Sequence, residues 1–223
     1  MKKLLTATAL TVGLLSPSLV SAEGQVKEWN SYDSLGCLMM RECIEGTTRL
    51  VDTEHIEQLT PGIDYSDVRD EADAIIAELD KMGVGVYLAD EKYFPRGHAG
   101  VYYTVGNDFF LNARYANDPQ QVLETLRHEA WHAAQDAMAC TINNSNIAII
   151  YPMEDVPQEF VLLAEIAYPP AARPWEQEAK WAGATPGMTL DVLRIINETN
   201  GQPWTVITPT PKTGEWLQVK GCF

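Results

Sequence analysis

Residues 128–132 read His-Glu-Ala-Trp-His. On a helix, residues four apart stand one turn above one another on the same face, so the imidazoles of His128 and His132 can reach one metal ion. The intervening Glu129 projects beside them, where a carboxylate can take a proton from a water bound to that metal. The spacing points to metal-assisted hydrolysis, with His128 and His132 as ligands, zinc (Zn2+) as the ion and Glu129 as general base. Such a site needs a third protein ligand and keeps its fourth position open. Of the four histidines in the chain, the remaining two, His55 and His98, both precede the motif.

The helix that must carry the motif is well marked. Asp118 suits the N-cap, Pro119 the first helical position, and Gln121 makes a capping-box-like arrangement with Asp118. Helical pattern continues to about Met138. Val122, Leu126, Glu129, Ala133 and Ala137 form one stripe, which puts Glu129 at the edge of the core-facing arc. A bare carboxylate there is costly to desolvate, and a metal-bound water would give it a partner.

The surrounding elements follow from periodicity. Leu35 to Arg41 predicts a short helix, followed by a polar stretch to about residue 58. Val68, Ala72, Ile75, Ile76, Leu79 and Met82 recur at helical spacing within Tyr65 to Met82, and Gly83 stops that helix. Val84 to Leu88 is a further apolar run. Gly100 to Val105 and Asp108 to Leu111 flank Gly106-Asn107 and read as a hairpin. Beyond the long helix come helices over Gln158 to Ala167, Trp175 to Ala182 and Leu190 to Glu198, with a proline-rich break between the first two. The tail from Trp204 to Cys222 reads as strand and loop. Helices and antiparallel strands in separate runs predict an α+β fold, a small antiparallel sheet packed on the long helix with further helices around it.

With these elements in place, the chain resembles the zincin metallopeptidases over residues from about 100 to 182. The likeness rests on the strand Asp108-Phe109-Phe110-Leu111, the capped helix with His128-Glu129-x-x-His132, and a later acidic helix. It implies a minimal zincin-like domain in which the strand before the helix lines a cleft and binds an extended peptide through backbone hydrogen bonds. The implied substrate is a peptide or protein. A metzincin-like continuation would need glycine and histidine where Gln135 and Met138 stand, so Met188 reads as a packing residue. The glutamate-liganded, gluzincin-like branch fits better. Trp175-Glu176-Gln177-Glu178-Ala179 resembles its E-x-E-A segment, which implies Glu176 as third zinc ligand and Ala179 as the point where two helices approach closely.

The helical wheel favours the other glutamate. With Trp175, Ala179 and Ala182 facing inward, Glu178 lies roughly 60° and Glu176 roughly 90° from the centre of that face. The third ligand therefore stays open between Glu176 and Glu178, with Glu165 a more distant alternative. Asp136, one turn after His132, could accept the free N–H of a ligand histidine and fix its tautomer. Hydrolysis also needs a group to stabilise an oxyanion. No tyrosine or histidine follows Glu178, which leaves Tyr168, Tyr151 or Tyr115, or else Arg173 or Arg194.

Length and charge bound the remaining possibilities. Lys2 and Lys3 precede an apolar, small-residue run from Leu4 to Val20 that ends in Val20-Ser21-Ala22, the pattern of a secretory signal peptide cleaved after Ala22. Residues 23–223 then form one domain, either secreted or periplasmic. Without the two leader lysines, 14 basic residues face 31 acidic ones, a net of −17. Such a surface repels phosphate backbones and anionic lipid, which disfavours nucleic-acid and membrane partners. Oligomeric state is not legible. All four cysteines lie beyond the leader, which predicts two disulfides, Cys37–Cys43 and Cys140–Cys222 being the preferred pairing. The alternative function class is a non-catalytic exported module that binds a structural metal or a partner.

Overall fold

The computed structural model describes residues 32–140, 147–210, 214–215 and 218. The expected leader, 1–22, lies outside them. Among the described residues the chain is α+β, with seven helices and one four-stranded sheet. The order is α1 (Tyr32–Met39), β1 (Thr47–Arg49), α2 (Thr53–Leu59), α3 (Arg69–Lys81), β2 (Gly85–Ala89), β3 (Gly100–Tyr103) and β4 (Asp108–Asn112). The helices α4 (Pro119–Met138), α5 (Gln158–Ala167), α6 (Arg173–Ala184) and α7 (Met188–Glu198) follow.

The expected antiparallel sheet is mixed instead. Its order is β1-β2-β4-β3; β1 and β3 pair antiparallel with their neighbours, but β2 and β4 run parallel, Tyr87 opposite Phe110. The physical reason lies in β4, where all five residues are buried. Phe109 and Leu111 enter the main core while Phe110 joins a second cluster with Leu35, Leu38, Tyr93 and Phe94 on the opposite face. A strand covered on both faces belongs in the middle of a sheet. This placement also corrects the expected cleft: β4 is paired on both sides, and the edge strand beside it is β3, β1 forming the other edge.

Helix α4 runs through the main core. The Asp118 carboxylate accepts from the Gln121 N–H at 3.1 Å. Only half of the expected capping box forms, because the Gln121 amide turns to the Thr125 hydroxyl. Helix α3 starts four residues later than the periodicity predicts. Tyr65 is drawn into the core, where its hydroxyl donates to the Ala116 carbonyl at 2.8 Å, and residues 65–68 close a turn instead. The helix ends before Gly83, whose φ of +78° suits a residue without Cβ. The region read as polar stretch holds β1 and α2. The tail forms a 3-10 turn over Pro203–Thr205, with no strand among its described residues.

Cys37 and Cys43 form a disulfide, consistent with an extracytoplasmic location. Cys140 is disulfide-bonded as well, and its expected partner Cys222 lies outside the described residues. No helix among the described residues is long and apolar enough to cross a membrane.

Candidate metal centre

Helix α6 crosses α4 closely enough to bring a carboxylate onto its histidine-bearing face. Ala179 and Ala182 are fully buried at the crossing. A Cβ on Gly183 would stand 3.2 Å from the Glu124 carbonyl oxygen and 3.3 Å from the His128 Cβ. The hydrogen side chain of Gly183 thus sets the spacing beside His128, a contact that the sequence reading missed. At the start of the same helix, Glu176 Oε2 lies 3.5 Å from His128 Nε2 and 3.7 Å from His132 Nε2.

His128, His132 and Glu176 each offer a ligand atom, all within 4.8 Å of one another, and the group could hold a metal ion. Ligands about 2.0–2.1 Å from a tetrahedral ion stand about 3.4 Å apart, close to the observed separations. Glu176 Oε2 is buried and accepts no hydrogen bond, which leaves it one strong acceptor short of a partner. Two imidazole nitrogens and one carboxylate oxygen are a donor set suited to zinc. The residues fit the ion.

Electrostatics tie the three together. Burial opposes the charged form of His132, but Glu176 and Glu129 outweigh it and push the imidazole up to about 9. Burial likewise disfavours the Glu176 carboxylate, and the two imidazoles outweigh it, holding the group well below the usual carboxylate range. The pocket thus stabilises positive charge against Glu176, as a cation site must.

Glu178 is equally buried but faces away from the triad. It accepts from Trp131 Nε1 at 3.0 Å, Gln135 Nε2 at 2.6 Å, Ile150 N at 3.1 Å and Tyr151 N at 2.6 Å. Burial raises its carboxyl against these donors. The wheel favours Glu178 because it assumes one inner face, whereas both glutamates of α6 are covered, Glu176 beside the histidines and Glu178 by Trp131, Gln135 and residues 150 and 151. Glu165 is exposed on α5.

Asp136 does not reach a ligand histidine. Its Oδ2 lies 2.9 Å from the Tyr102 hydroxyl, while His132 Nδ1 meets Gln135 Oε1 at 2.8 Å. The residue three positions along the helix reaches back to the imidazole, whereas Asp136 faces the sheet. Burial pushes the Asp136 carboxyl up to about 8.

Glu129 is 9 % exposed and joins the site from α4. Its Oε2 accepts from the Tyr102 backbone N–H at 2.9 Å, so edge strand β3 holds the carboxylate in place. Gly100 makes that approach possible, since a Cβ there would fall 3.1 Å from the Glu129 Cγ and 2.7 Å from a Thr125 methyl. A backbone donor carries no side-chain signature, and nothing in the sequence pointed to Tyr102.

The tyrosine candidates separate. Tyr168 lies against Glu176, and burial with the Glu176 and Glu129 charges holds its phenol proton far above the ordinary range. Tyr151 stacks on Trp131 at 5.9 Å between ring centres and faces Trp181, on the Glu178 side of α6. Tyr115 is in the turn Ala113–Tyr115 after β4, where its carbonyl accepts from Asp118. Arg173 does not point a guanidinium at the site; it donates to the Tyr168 and Glu165 carbonyls and so anchors the turn that carries Tyr168. Arg194 pairs with Asp191 on α7. His55 is held by Asp52, and His98 packs edge-on against Tyr32. Comparison of the chain with protein-family models, with curated proteins and with solved structures finds no match.

Proposed function

We propose that this chain is an exported zinc-dependent metallopeptidase of minimal, glutamate-liganded zincin type. The observation that carries the reading is the meeting of His128, His132 and Glu176, with Glu129 near enough for its charge to act on His132. The disulfide and the leader-like N-terminus support export.

His128, His132 and Glu176 would hold the ion, with Glu178 outside the ligand set. Zinc in such a site supplies a Lewis acid that polarises a scissile carbonyl and acidifies water. Glu129 has one oxygen fixed by the Tyr102 N–H. Its other oxygen takes the proton of the attacking water and later delivers it to the departing amine as the amide C–N bond breaks. Tyr168 keeps its proton at neutral pH and so can donate to the oxyanion that forms. An extended peptide would add along β3, the edge strand that touches α4, rather than along the inner strand β4.

The test is metal content and hydrolysis of a mixed peptide library by purified protein, before and after chelation and zinc restoration. Zinc near one per chain, with cleavage lost and regained, is the expected result. Zinc bound tightly by four protein ligands without any cleavage would establish the non-catalytic module instead.

A further inference from the structure

We propose that Gln135 and Glu178 are positioning residues for His132, forming a two-step hydrogen-bond relay that dictates which imidazole nitrogen faces the metal. The inference rests on the metal-centre reading and extends it to residues outside the ligand set.

The relay follows from counting donors and acceptors. Gln135 and Glu178 are fully buried. The Gln135 amide nitrogen lies 2.6 Å from Glu178 Oε2 and 3.2 Å from the Trp175 carbonyl oxygen. Both partners accept, so the amide must present its NH2 to them and spends both protons there. Its oxygen is then fixed toward His132 Nδ1 at 2.8 Å. A carbonyl oxygen only accepts, so Nδ1 must carry a hydrogen. When the imidazole gives up its second proton to bind a metal, the lone pair is therefore on Nε2, the nitrogen that faces Glu176.

Glu178 makes the arrangement irreversible. Its partners are Trp131 Nε1, Gln135 Nε2, Ile150 N and Tyr151 N, all of them donors. All four donate to its oxygens, so the side facing Gln135 accepts. If the Gln135 amide turned over, two oxygens would face each other across a buried contact. The relay also reaches past α6, because the same carboxylate pins residues 150 and 151, while the backbone carbonyl of Gln135 accepts from the Ala148 N–H. Metal affinity is thereby linked to the seating of that segment.

The experiment combines zinc affinity, by competition with a chromophoric chelator, with imidazole nitrogen and proton NMR on the zinc-loaded full chain. In the wild type, His132 is expected to show a Nδ1–H that exchanges with solvent far more slowly than the ring protons of His55. Gln135→Met keeps length and removes the hydrogen bond; it is expected to weaken zinc binding about 10- to 100-fold and to abolish that protection. Asp136→Asn, an equally buried neighbour outside the relay, is expected to leave zinc affinity unchanged. If His132→Ala weakens zinc binding while Gln135→Met binds within twofold of wild type, the relay is overturned and the metal centre stands. If wild type binds no zinc, both fall. A fast-exchanging Nδ1–H on His132, or coordination through Nδ1, overturns the relay without any variant.

Discussion

Replacing Asp136 by asparagine should stabilise the protein, and by more as the pH rises. The Tyr102 hydroxyl lies 2.8 Å from Asn107 Oδ1 and 2.9 Å from Asp136 Oδ2. Asn107 gives its amide nitrogen to the Gly83 carbonyl, so the oxygen facing Tyr102 accepts. One phenol proton cannot serve two acceptors at once. Both contacts are satisfied when the phenol donates to Asn107 and a neutral Asp136 donates to the phenol, the state that burial favours by pushing the carboxyl up to about 8. In the unfolded chain the group ionises at its ordinary 3.8. Unfolding between those values therefore releases a proton. The stability contributed by the neutral acid is complete below pH about 4 and is lost as the pH climbs through 8. The slope is about 1.4 kcal/mol per pH unit, so the advantage of Asp136→Asn should widen by up to about 3 kcal/mol from pH 5 to pH 7. Asparagine keeps the donor to Tyr102 and never ionises. Urea unfolding of both proteins at pH 5, 6 and 7, followed by tryptophan fluorescence, reads that difference while groups common to both cancel. A difference that stays constant or narrows refutes the proton count.

Two further perturbations probe the site from different sides. Glu176→Ala should abolish high-affinity zinc binding and leave a folded protein, whereas Glu178→Ala should weaken zinc binding only in part, through loss of the Gln135 relay, and should cost several kcal/mol of stability by leaving four buried N–H donors without their acceptor, at about 1–3 kcal/mol each before water relieves some. Isothermal titration with zinc and thermal unfolding of both variants distinguish the two effects; similar behaviour of the pair would refute the division of roles. Gly183→Val should lower both the Tm and zinc affinity, because its Cβ already meets the Glu124 carbonyl at 3.2 Å and the His128 Cβ at 3.3 Å. An unchanged Tm and affinity would show that α6 is free to shift.

What was legible in the sequence was what one periodic element carries by itself. The long helix announces its cap, its buried stripe and its histidine pair within residues 118–138, and it spans Pro119–Met138 in the structure. The amphipathic and strongly apolar helices were legible for the same reason, and α5 runs over Gln158–Ala167 as read. β1 and α2 were not. One is three residues long with Thr48 and Arg49 exposed, and the other buries only Thr53 and Ile56, so neither repeats a pattern often enough to be seen. Sheet order was hidden because the β3–β4 hairpin is local, whereas the parallel pairing of β2 with β4 is decided by burial on both faces of β4. Around the candidate metal centre, helical spacing put Asp136 within reach of His132, whereas the imidazole contact belongs to Gln135. Only the Tyr102 hydroxyl, supplied by β3, decides that Asp136 turns to the sheet. Glu176 and Glu178 differ by which flank of α6 each enters, and a wheel drawn for a helix with a single inner face has no place for that.

The central claim is that the residues around the metal triad form a hydrolytic site, and Glu129→Gln tests it most directly. The substitution removes the proton acceptor while its amide oxygen can still take the Tyr102 N–H, so fold and zinc content should be retained. A positioned base contributes roughly 10²- to 10⁴-fold. Peptide cleavage by the zinc-loaded variant should fall by about that factor against wild type at matched metal content. Equal cleavage rates would contradict the account.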